Sequence, residues 1–366
     1  MKITAAVVEG RHGQFVPQEV LLGEPRWGEV RVRIVATGIC HTDSITRHGD
    51  LPFPLPGVLG HEGAGVVEAV GPNVEGIREG DHVVLGWPWC GSCRNCLDGQ
   101  PRYCLRLSDL LVGGGRADGS TALRMPDGSV LASHFFGQSS FASHAVVPCR
   151  GLVPVDPSLP LELLGPLACG LSTGAGAVLN VLRPSVGASL VVFGAGSVGL
   201  AAVMAARNTG ATRIIAVDRH ASRLALASRF GATDTVNALE TDPVAAVHEI
   251  CGGPADFGLE CTGVVAVCRQ AVDSVGMRGT CALIGGAPAG AEVQFDHLGL
   301  LWGKRVIGIL GGEGRSVGLI GSLIDLYRQG RFPFDELVTY FPFDRIGEAF
   351  TAAESGEVLK PVLLQR

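Results

Sequence analysis

Ser189-Leu190-Val191-Val192-Phe193-Gly194-Ala195-Gly196-Ser197-Val198-Gly199 decides the fold of this chain. Five residues with no exposed-type polar pattern read as a strand buried on both faces. The strand runs into Gly-x-Gly-x-x-Gly, and a helical stretch follows over 200–208. A second apolar strand, 212–217, ends in Asp218, 19 residues beyond the last glycine. Glycines alone are a weak signal; strand before, helix after and acid beyond make a dinucleotide site. Gly194, Gly196 and Gly199 let the backbone approach a pyrophosphate seated on the helix N-terminus. Asp218 is placed to accept hydrogen bonds from the adenine-ribose 2′-hydroxyl and to repel a 2′-phosphate, which favours NAD over NADP. Arg219 and Arg223 follow closely and soften that preference.

Outward from this motif, βα alternation continues through a helix at Ala221–Phe230, strands near 231–237, 255–260, 279–284 and 305–310, and a helix at 264–275. That predicts a doubly wound parallel sheet of about six strands, a Rossmann domain over 171–311. Upstream, short Val/Ile runs at 29–36, 65–70, 81–85 and 144–148 alternate with Gly/Pro/Asp turns, which predicts a partly closed β-barrel. The tail, 312–366, carries a helix at 317–329 and is expected to return to the first domain, giving a discontinuous domain of 1–170 plus 312–366.

Composition agrees with an α/β chain of two domains: 366 residues, 46% of them hydrophobic, suffice for two cores. A net charge of −6 without a Lys/Arg block argues against a nucleic-acid surface. No apolar run is long enough to span a membrane, and the N-terminus is strand-like rather than a secretory signal. Eleven cysteines in such a chain point to metal ligands and reduced thiols, hence to the cytoplasm.

Two sets of residues have metal-ligand character. Thr37-Gly38-Ile39-Cys40-His41-Thr42-Asp43 ends an apolar strand, and Gly60-His61-Glu62-Gly63 follows. Cys and His together suit zinc, and Cys169, in the apolar stretch 161–180, is a candidate third ligand. The second set is Cys90-x2-Cys93-x2-Cys96-x7-Cys104, a lobe of about 88–106. Four thiolates this close enclose one tetrahedral zinc with no open position, a structural role. An iron–sulfur cluster uses four thiolates too, and a zinc ribbon on nucleic acid has the same spacing, though the acidic chain speaks against it.

In this order, Gly60-His61-Glu62-Gly63, the cysteine lobe, the Cys169 segment and the nucleotide fold resemble the zinc-dependent medium-chain alcohol dehydrogenases over essentially the whole chain. The first domain would then be GroES-like. More narrowly, His134-Phe-Phe-Gly-Gln-Ser-Ser-Phe141, Leu161-Glu-Leu-Leu-Gly-Pro-Leu167, Gly174-Ala-Gly-Ala-Val-Leu-Asn-Val-Leu182 and Arg328-Gln-Gly-Arg-Phe-Pro-Phe334 resemble the aryl-alcohol (benzyl-alcohol) branch. The resemblance implies two zinc ions per chain and NAD. Cys40, His61 and Cys169 would hold the catalytic zinc, a ligand set already known for alcohol dehydrogenases. Glu62 would lie behind it as an occasional fourth ligand, and Asp43 would fix the His61 tautomer. Thr42 would hydrogen-bond the alcohol. Thr173 and Val198 would face the nicotinamide; His41 and Lys360 would present cations to the pyrophosphate.

One departure stands out: where many members carry a proton-relay histidine five residues after the first ligand, this chain has Ile45, and His48 is the nearest substitute. Trp87, Trp89, Phe135 and Phe136 are expected to wall the substrate cleft and to suit a flat aryl or allylic group. The implied activity is reversible oxidation of a primary aromatic or allylic alcohol to the aldehyde by a homodimer or homotetramer. A polyol or other secondary-alcohol dehydrogenase, and a non-catalytic zinc- and NAD-binding protein, are the alternatives.

Overall fold

The structure, a computed structural model, describes residues 1–365. It divides into two compact units: Met1–Cys169 with Gly314–Gly321 and Asp335–Arg366, and Gly170–Glu313 with Ser322–Phe334.

The first unit is built on two sheets. One runs Gly57–Val58, Lys2–Val8, Val16–Leu22, Leu123–Arg124 and Val130–Leu131. The other runs Leu152–Val155, His82–Leu85, Glu62–Val70, Glu29–Gly38, Lys360–Leu364 and Val338–Pro342, with His144–Pro148 also paired on Glu29–Gly38. A bridge between Ala5 and Ala142 joins the two sheets into a partly closed barrel. Alternation explains the packing of Glu29–Gly38: Val30, Val32 and Ile34 are buried against Val67, Val83, Ala145 and Val147, while Arg33 is exposed. A second core gathers Phe15, Phe135, Phe141 and Phe350.

Glu29 opens that strand as a buried carboxylate. Arg116 grips it with Nε and Nη2 at 2.7 and 2.9 Å, and the Arg26 backbone N–H donates at 2.8 Å. Burial works against the charge, but His134, Arg116 and Arg26 together hold the pKa near 2, against an ordinary 4.5. A folded pKa below the unfolded one contributes stability above about pH 4.5, and the contribution fades as pH falls toward 2; the shift corresponds to about 3 kcal/mol. Glu29→Gln should therefore destabilise strongly at pH 7 and far less at pH 3 in urea titrations. Equal losses at both pH values would remove this explanation.

The second unit has six parallel strands in the order Asp234–Asn237, Arg213–Asp218, Ser189–Phe193, Ala255–Glu260, Val275–Leu283 and Arg305–Gly308. Its order reverses between Ser189–Phe193 and Ala255–Glu260, where this class of sheet binds ligands. Ser189–Phe193 is buried throughout, as its unbroken apolar run requires. Helix Ser197–Ala206 is likewise apolar almost all round, and it is covered by helix Gly170–Gly176 as well as by the sheet. No single helix is long and apolar enough to cross a membrane among the described residues.

The tail does not return whole to the first unit. Residues 322–334 belong with the second: Leu323, Phe332 and Phe334 are fully buried, and Asn208 Nδ2 donates to the Arg331 carbonyl at 3.3 Å. An amphipathic helix goes where its apolar face is covered. The strand Lys360–Leu364 and helix Ile346–Ser355, by contrast, complete the first unit.

Candidate active site and metal centres

Strand Glu29–Gly38 stops at Cys40, which caps the short helix His41–His48. The Asp43 carboxylate, fully buried, turns back to accept from the Cys40 backbone N–H at 3.0 Å, the Gly60 N–H at 3.1 Å and His61 Nδ1 at 3.0 Å. One acid thus ties together the two segments that carry Cys40 and His61. With Nδ1 donating to Asp43, His61 Nε2 is the free acceptor; it is buried and has no hydrogen-bond partner. Cys169 arrives from the other side at an irregular residue (φ −137°, ψ −89°) between the 3-10 turn Gly165–Ala168 and helix Gly170–Gly176. The ligand atoms of Cys40, His61, Glu62 and Cys169 lie within 4.8 Å of one another.

This donor set fits zinc: two sulfurs, one imidazole whose orphaned nitrogen needs a Lewis acid, and a carboxylate behind. The electrostatics point the same way. Hydrogen bonding with Cys169, then the influence of His61 and Lys360, pulls the Cys40 thiol well below its ordinary pKa despite burial. The Cys169 thiol is pushed up by Cys40 and by burial. Two sulfurs that compete for one negative charge are stabilised together only by a cation between them.

Glu62 faces Lys360. Nζ donates to both Glu62 oxygens at 3.0 Å and to the Ile39 carbonyl at 3.1 Å, with both residues sealed from solvent. Burial raises the Glu62 pKa to about 7 against the pull of Lys360. Gly38 must be glycine here, because a Cβ would collide with the Glu62 carboxylate. Lys360 was expected at the pyrophosphate; its ammonium instead turns inward, all three N–H bonds engaged beside the metal ligands. His41 does reach solvent at the helix start.

Thr42 lies half-buried, its Oγ1 3.6 Å from Cys40 Sγ. His48 is not brought to it. Six positions along the same helix, His48 lies tilted against His12 with ring centroids 5.1 Å apart and accepts from Arg47 Nη2 at 3.2 Å. A ring whose nitrogen is taken by a guanidinium is a poor proton outlet. His48→Ala should leave the pH–rate profile of alcohol oxidation unchanged; a loss confined to neutral pH would restore the relay.

The aromatic residues separate into different roles. Phe136 lies on the His61 ring at 4.5 Å, and Trp87 meets Phe136 edge-on at 5.0 Å. Phe135 is wholly buried between Phe53 and His61, so it is core behind the site rather than cleft lining. Trp89 lies between the Arg150 and Arg315 guanidiniums, at 5.5 and 5.8 Å. The turn that presents Phe136 is strained: His134 and Phe136 have φ of 60° and 50°. Left-handed conformations in such residues cost about 1–3 kcal/mol each and persist where the surroundings enforce them. Gln138 is one enforcer, donating to the carbonyls of His61 (2.9 Å) and Leu85 (2.8 Å) and accepting from the Gly63 N–H (3.0 Å). The sequence reading did not single out Gln138, although it stands inside the 134–141 motif.

In the cysteine lobe, Cys90, Cys93, Cys96 and Cys104 also converge within 4.8 Å. Cys93 and Cys96 sulfurs are 3.4 Å apart, Cys90 and Cys96 3.8 Å. Backbone N–H groups led by Ser92 bring Cys90 down to about 5, and burial pushes Cys96 up to about 12. Four sulfurs at edge-of-tetrahedron spacing fit a closed zinc site.

In the second unit the glycines divide their work. Gly194 has φ 95°, and a Cβ on Gly199 would strike the Gly194 carbonyl. Gly196 has nothing within 4 Å of its Cβ direction, an open place for a phosphate. The Asp218 carboxylate accepts from the Ala195 N–H at 2.7 Å and from the His220 N–H and Nδ1 at 2.9 Å, and these bonds hold its pKa down against burial. Arg219 is exposed and Arg223 half-buried behind it. Gly174 packs against the Val198 carbonyl, which brings Thr173 and Val198 to neighbouring helices.

Comparison with known proteins agrees with this geometry. Residues 26–157 match the family described as Alcohol dehydrogenase GroES-like domain, and residues 197–324 match Zinc-binding dehydrogenase. A geraniol dehydrogenase of Castellaniella defragrans is 43% identical over 98% of this chain and 97% of its own. The crystal structure of a zinc-binding alcohol dehydrogenase domain protein from Burkholderia ambifaria superposes with TM-score 0.97 at 49% identity, covering 100% of this chain and 99% of that one. Benzyl alcohol dehydrogenase from Acinetobacter calcoaceticus superposes with TM-score 0.97 at 44% identity, covering 100% of both chains. The chain belongs to the zinc-dependent medium-chain alcohol dehydrogenases, enzymes that work with a nicotinamide cofactor.

Proposed function

We propose that this enzyme oxidises primary aromatic or allylic alcohols to aldehydes, and reduces them back, with NAD as preferred cofactor. The observation that carries the reading is the convergence of Cys40, His61 and Cys169 around the orphaned His61 Nε2, walled by Phe136 and Trp87. The similarity to a geraniol dehydrogenase and a benzyl alcohol dehydrogenase supports the substrate class. When bound, zinc at Cys40, His61 and Cys169 supplies Lewis acidity at the hydroxyl, and NAD supplies the hydride acceptor. A second zinc at Cys90, Cys93, Cys96 and Cys104 has a structural part.

The chain's own groups do the rest. Asp43 holds His61 in the tautomer that leaves Nε2 free. Thr42 Oγ1, beside Cys40, is positioned to take the hydroxyl proton. Phe136 keeps water from the imidazole face and offers a flat surface to an aryl or allyl group. Asp218, charged and fixed at its strand end, favours a free ribose 2′-hydroxyl. We further propose a cytoplasmic homodimer or homotetramer; the edge strand Arg305–Gly308, near exposed Leu301 and Trp302, supports pairing there.

The test is an NADH absorbance assay on zinc-loaded protein with benzyl alcohol, cinnamyl alcohol, ethanol and a secondary alcohol, with NAD and with NADP, each with and without chelator. Benzyl or cinnamyl turnover well above ethanol, faster with NAD and abolished by chelation, is the expected result. A secondary alcohol that wins would overturn the substrate class.

A further inference from the structure

Glu260 ends the strand Ala255–Glu260 in the second unit and is fully buried. It pairs with Phe193, the residue before Gly194, so it stands beside the glycine motif at the point where the strand order reverses. The turn that follows lies directly on that motif. The Cys261 N–H donates to the Phe193 carbonyl at 2.9 Å, and a Cβ on Gly194 would come within 2.7 Å of the Thr262 methyl. The Glu260 carboxylate holds this turn: Oε1 accepts from the Thr262 N–H, the Thr262 hydroxyl and, at 3.0 Å, the Gly263 N–H.

Every one of these donors is neutral. No Lys, Arg or His is ion-paired with Glu260 among the described residues, and Lys304 donates instead to the Val272 carbonyl at 2.8 Å. Burial, then the Glu260 charge, pushes the Cys268 thiol up to about 11 and the Cys281 thiol up to about 12, so both stay protonated beside it. A buried charge without a counter-charge is costly. Hydrogen bonding does not account for it, since the oxygen of a neutral glutamine amide would accept from the same groups. What glutamine cannot supply is negative charge. The two forms of a nicotinamide cofactor differ in that respect: the ring of NAD⁺ is cationic and that of NADH is neutral. Both carry the same pyrophosphate, so its repulsion by Glu260 cancels in the comparison.

We propose that Glu260 selects between the two redox forms of the cofactor: its buried, uncompensated charge beside the glycine motif favours the cationic ring of NAD⁺ over the neutral ring of NADH. The inference rests on the NAD reading above. In alcohol oxidation such a charge strengthens the capture of NAD⁺ and weakens the hold on NADH, the form that must leave.

Dissociation constants for NAD⁺, NADH and ADP-ribose, measured on zinc-loaded protein by calorimetry and by NADH fluorescence, read this without turnover. Glu260→Gln should raise the ratio of the NAD⁺ constant to the NADH constant about five- to tenfold, the size of one partly screened charge–charge interaction inside a protein. NADH and ADP-ribose, neither of which carries the ring charge, should shift together. Glu260→Asp keeps the charge and should keep the wild-type ratio even if all three ligands bind more weakly. Glu260→Met is a second neutral variant, and its ratio should move in the same direction as that of Glu260→Gln. An unchanged ratio in the neutral variants, or an equal change in Glu260→Asp, would reduce Glu260 to a clamp on the turn and overturn the proposal alone. Wild-type protein that binds neither NAD⁺ nor NADH overturns the cofactor reading, and the proposal with it.

Discussion

Cys169→Ser is expected to abolish alcohol oxidation, with turnover falling at least about a thousandfold, because the hydroxyl loses a Lewis acid worth several kcal/mol. Serine keeps the volume but is a far poorer zinc ligand than thiolate. Metal analysis should find one zinc per chain fewer than in the parent enzyme, with metal at the lobe of Cys90, Cys93, Cys96 and Cys104 unaffected. Circular dichroism should remain unchanged, since the turn at Cys169 is held by its neighbours Leu167 and Leu171, both fully buried. Retained turnover with one zinc lost would show that the cluster of Cys40, His61 and Cys169 is not where the chemistry occurs.

Lys360→Met is expected to destabilise the first unit by about 3–5 kcal/mol, the range for removing one partner of a buried ion pair. The cost arises mostly from what is left behind: Glu62, wholly buried, with its two hydrogen bonds from Nζ gone. The double variant Glu62→Gln/Lys360→Met should recover most of the loss, because neither charge then needs a counter-charge. Urea denaturation of all three proteins at constant zinc reads this directly. A loss below about 1 kcal/mol for the single variant would mean that Glu62, whose pKa already lies near 7, protonates instead of staying behind as a buried charge.

Much of this architecture was legible in the sequence for a simple reason: wherever one period of hydrophobicity dominates, the local signal and the fold agree. Ser189–Phe193, Ala221–Phe230, Ala255–Glu260 and His144–Pro148 fall where their residues place them. The metal clusters were legible because ligand chemistry restricts residue type and spacing at once. What escaped is what tertiary contact decides. Val16–Leu22 and Lys360–Leu364 are strands only because neighbours offer unpaired edges. Helix His41–His48 is short and polar, held by the Asp43 carboxylate at its start rather than by any apolar stripe. Lys360 could not be assigned from its type alone, since lysine reads as a surface cation until a buried acid is found facing it. Nor could Phe135 and Phe136 be separated: adjacent, identical and both buried, one meets the imidazole edge-on from the core and the other lies over its face because a strained turn splits their directions.

The strand Lys360–Leu364 lies between Glu29–Gly38 and Val338–Pro342, and its first residue meets Glu62 across 298 positions of chain. During translation, Cys40, His61, Glu62 and Cys169 emerge long before that strand does, and domains tend to fold as they leave the ribosome. Until residues 360–364 arrive, the sheet has an open slot beside the metal ligands and Glu62 lacks the Lys360 ammonium. The barrel can therefore be nascent and collapsed, yet it cannot close around a finished metal centre. Synthesis of that strand and closure of the pocket around the metal ligands are therefore coupled, so a product terminated before residue 360 would lack the ammonium behind Glu62.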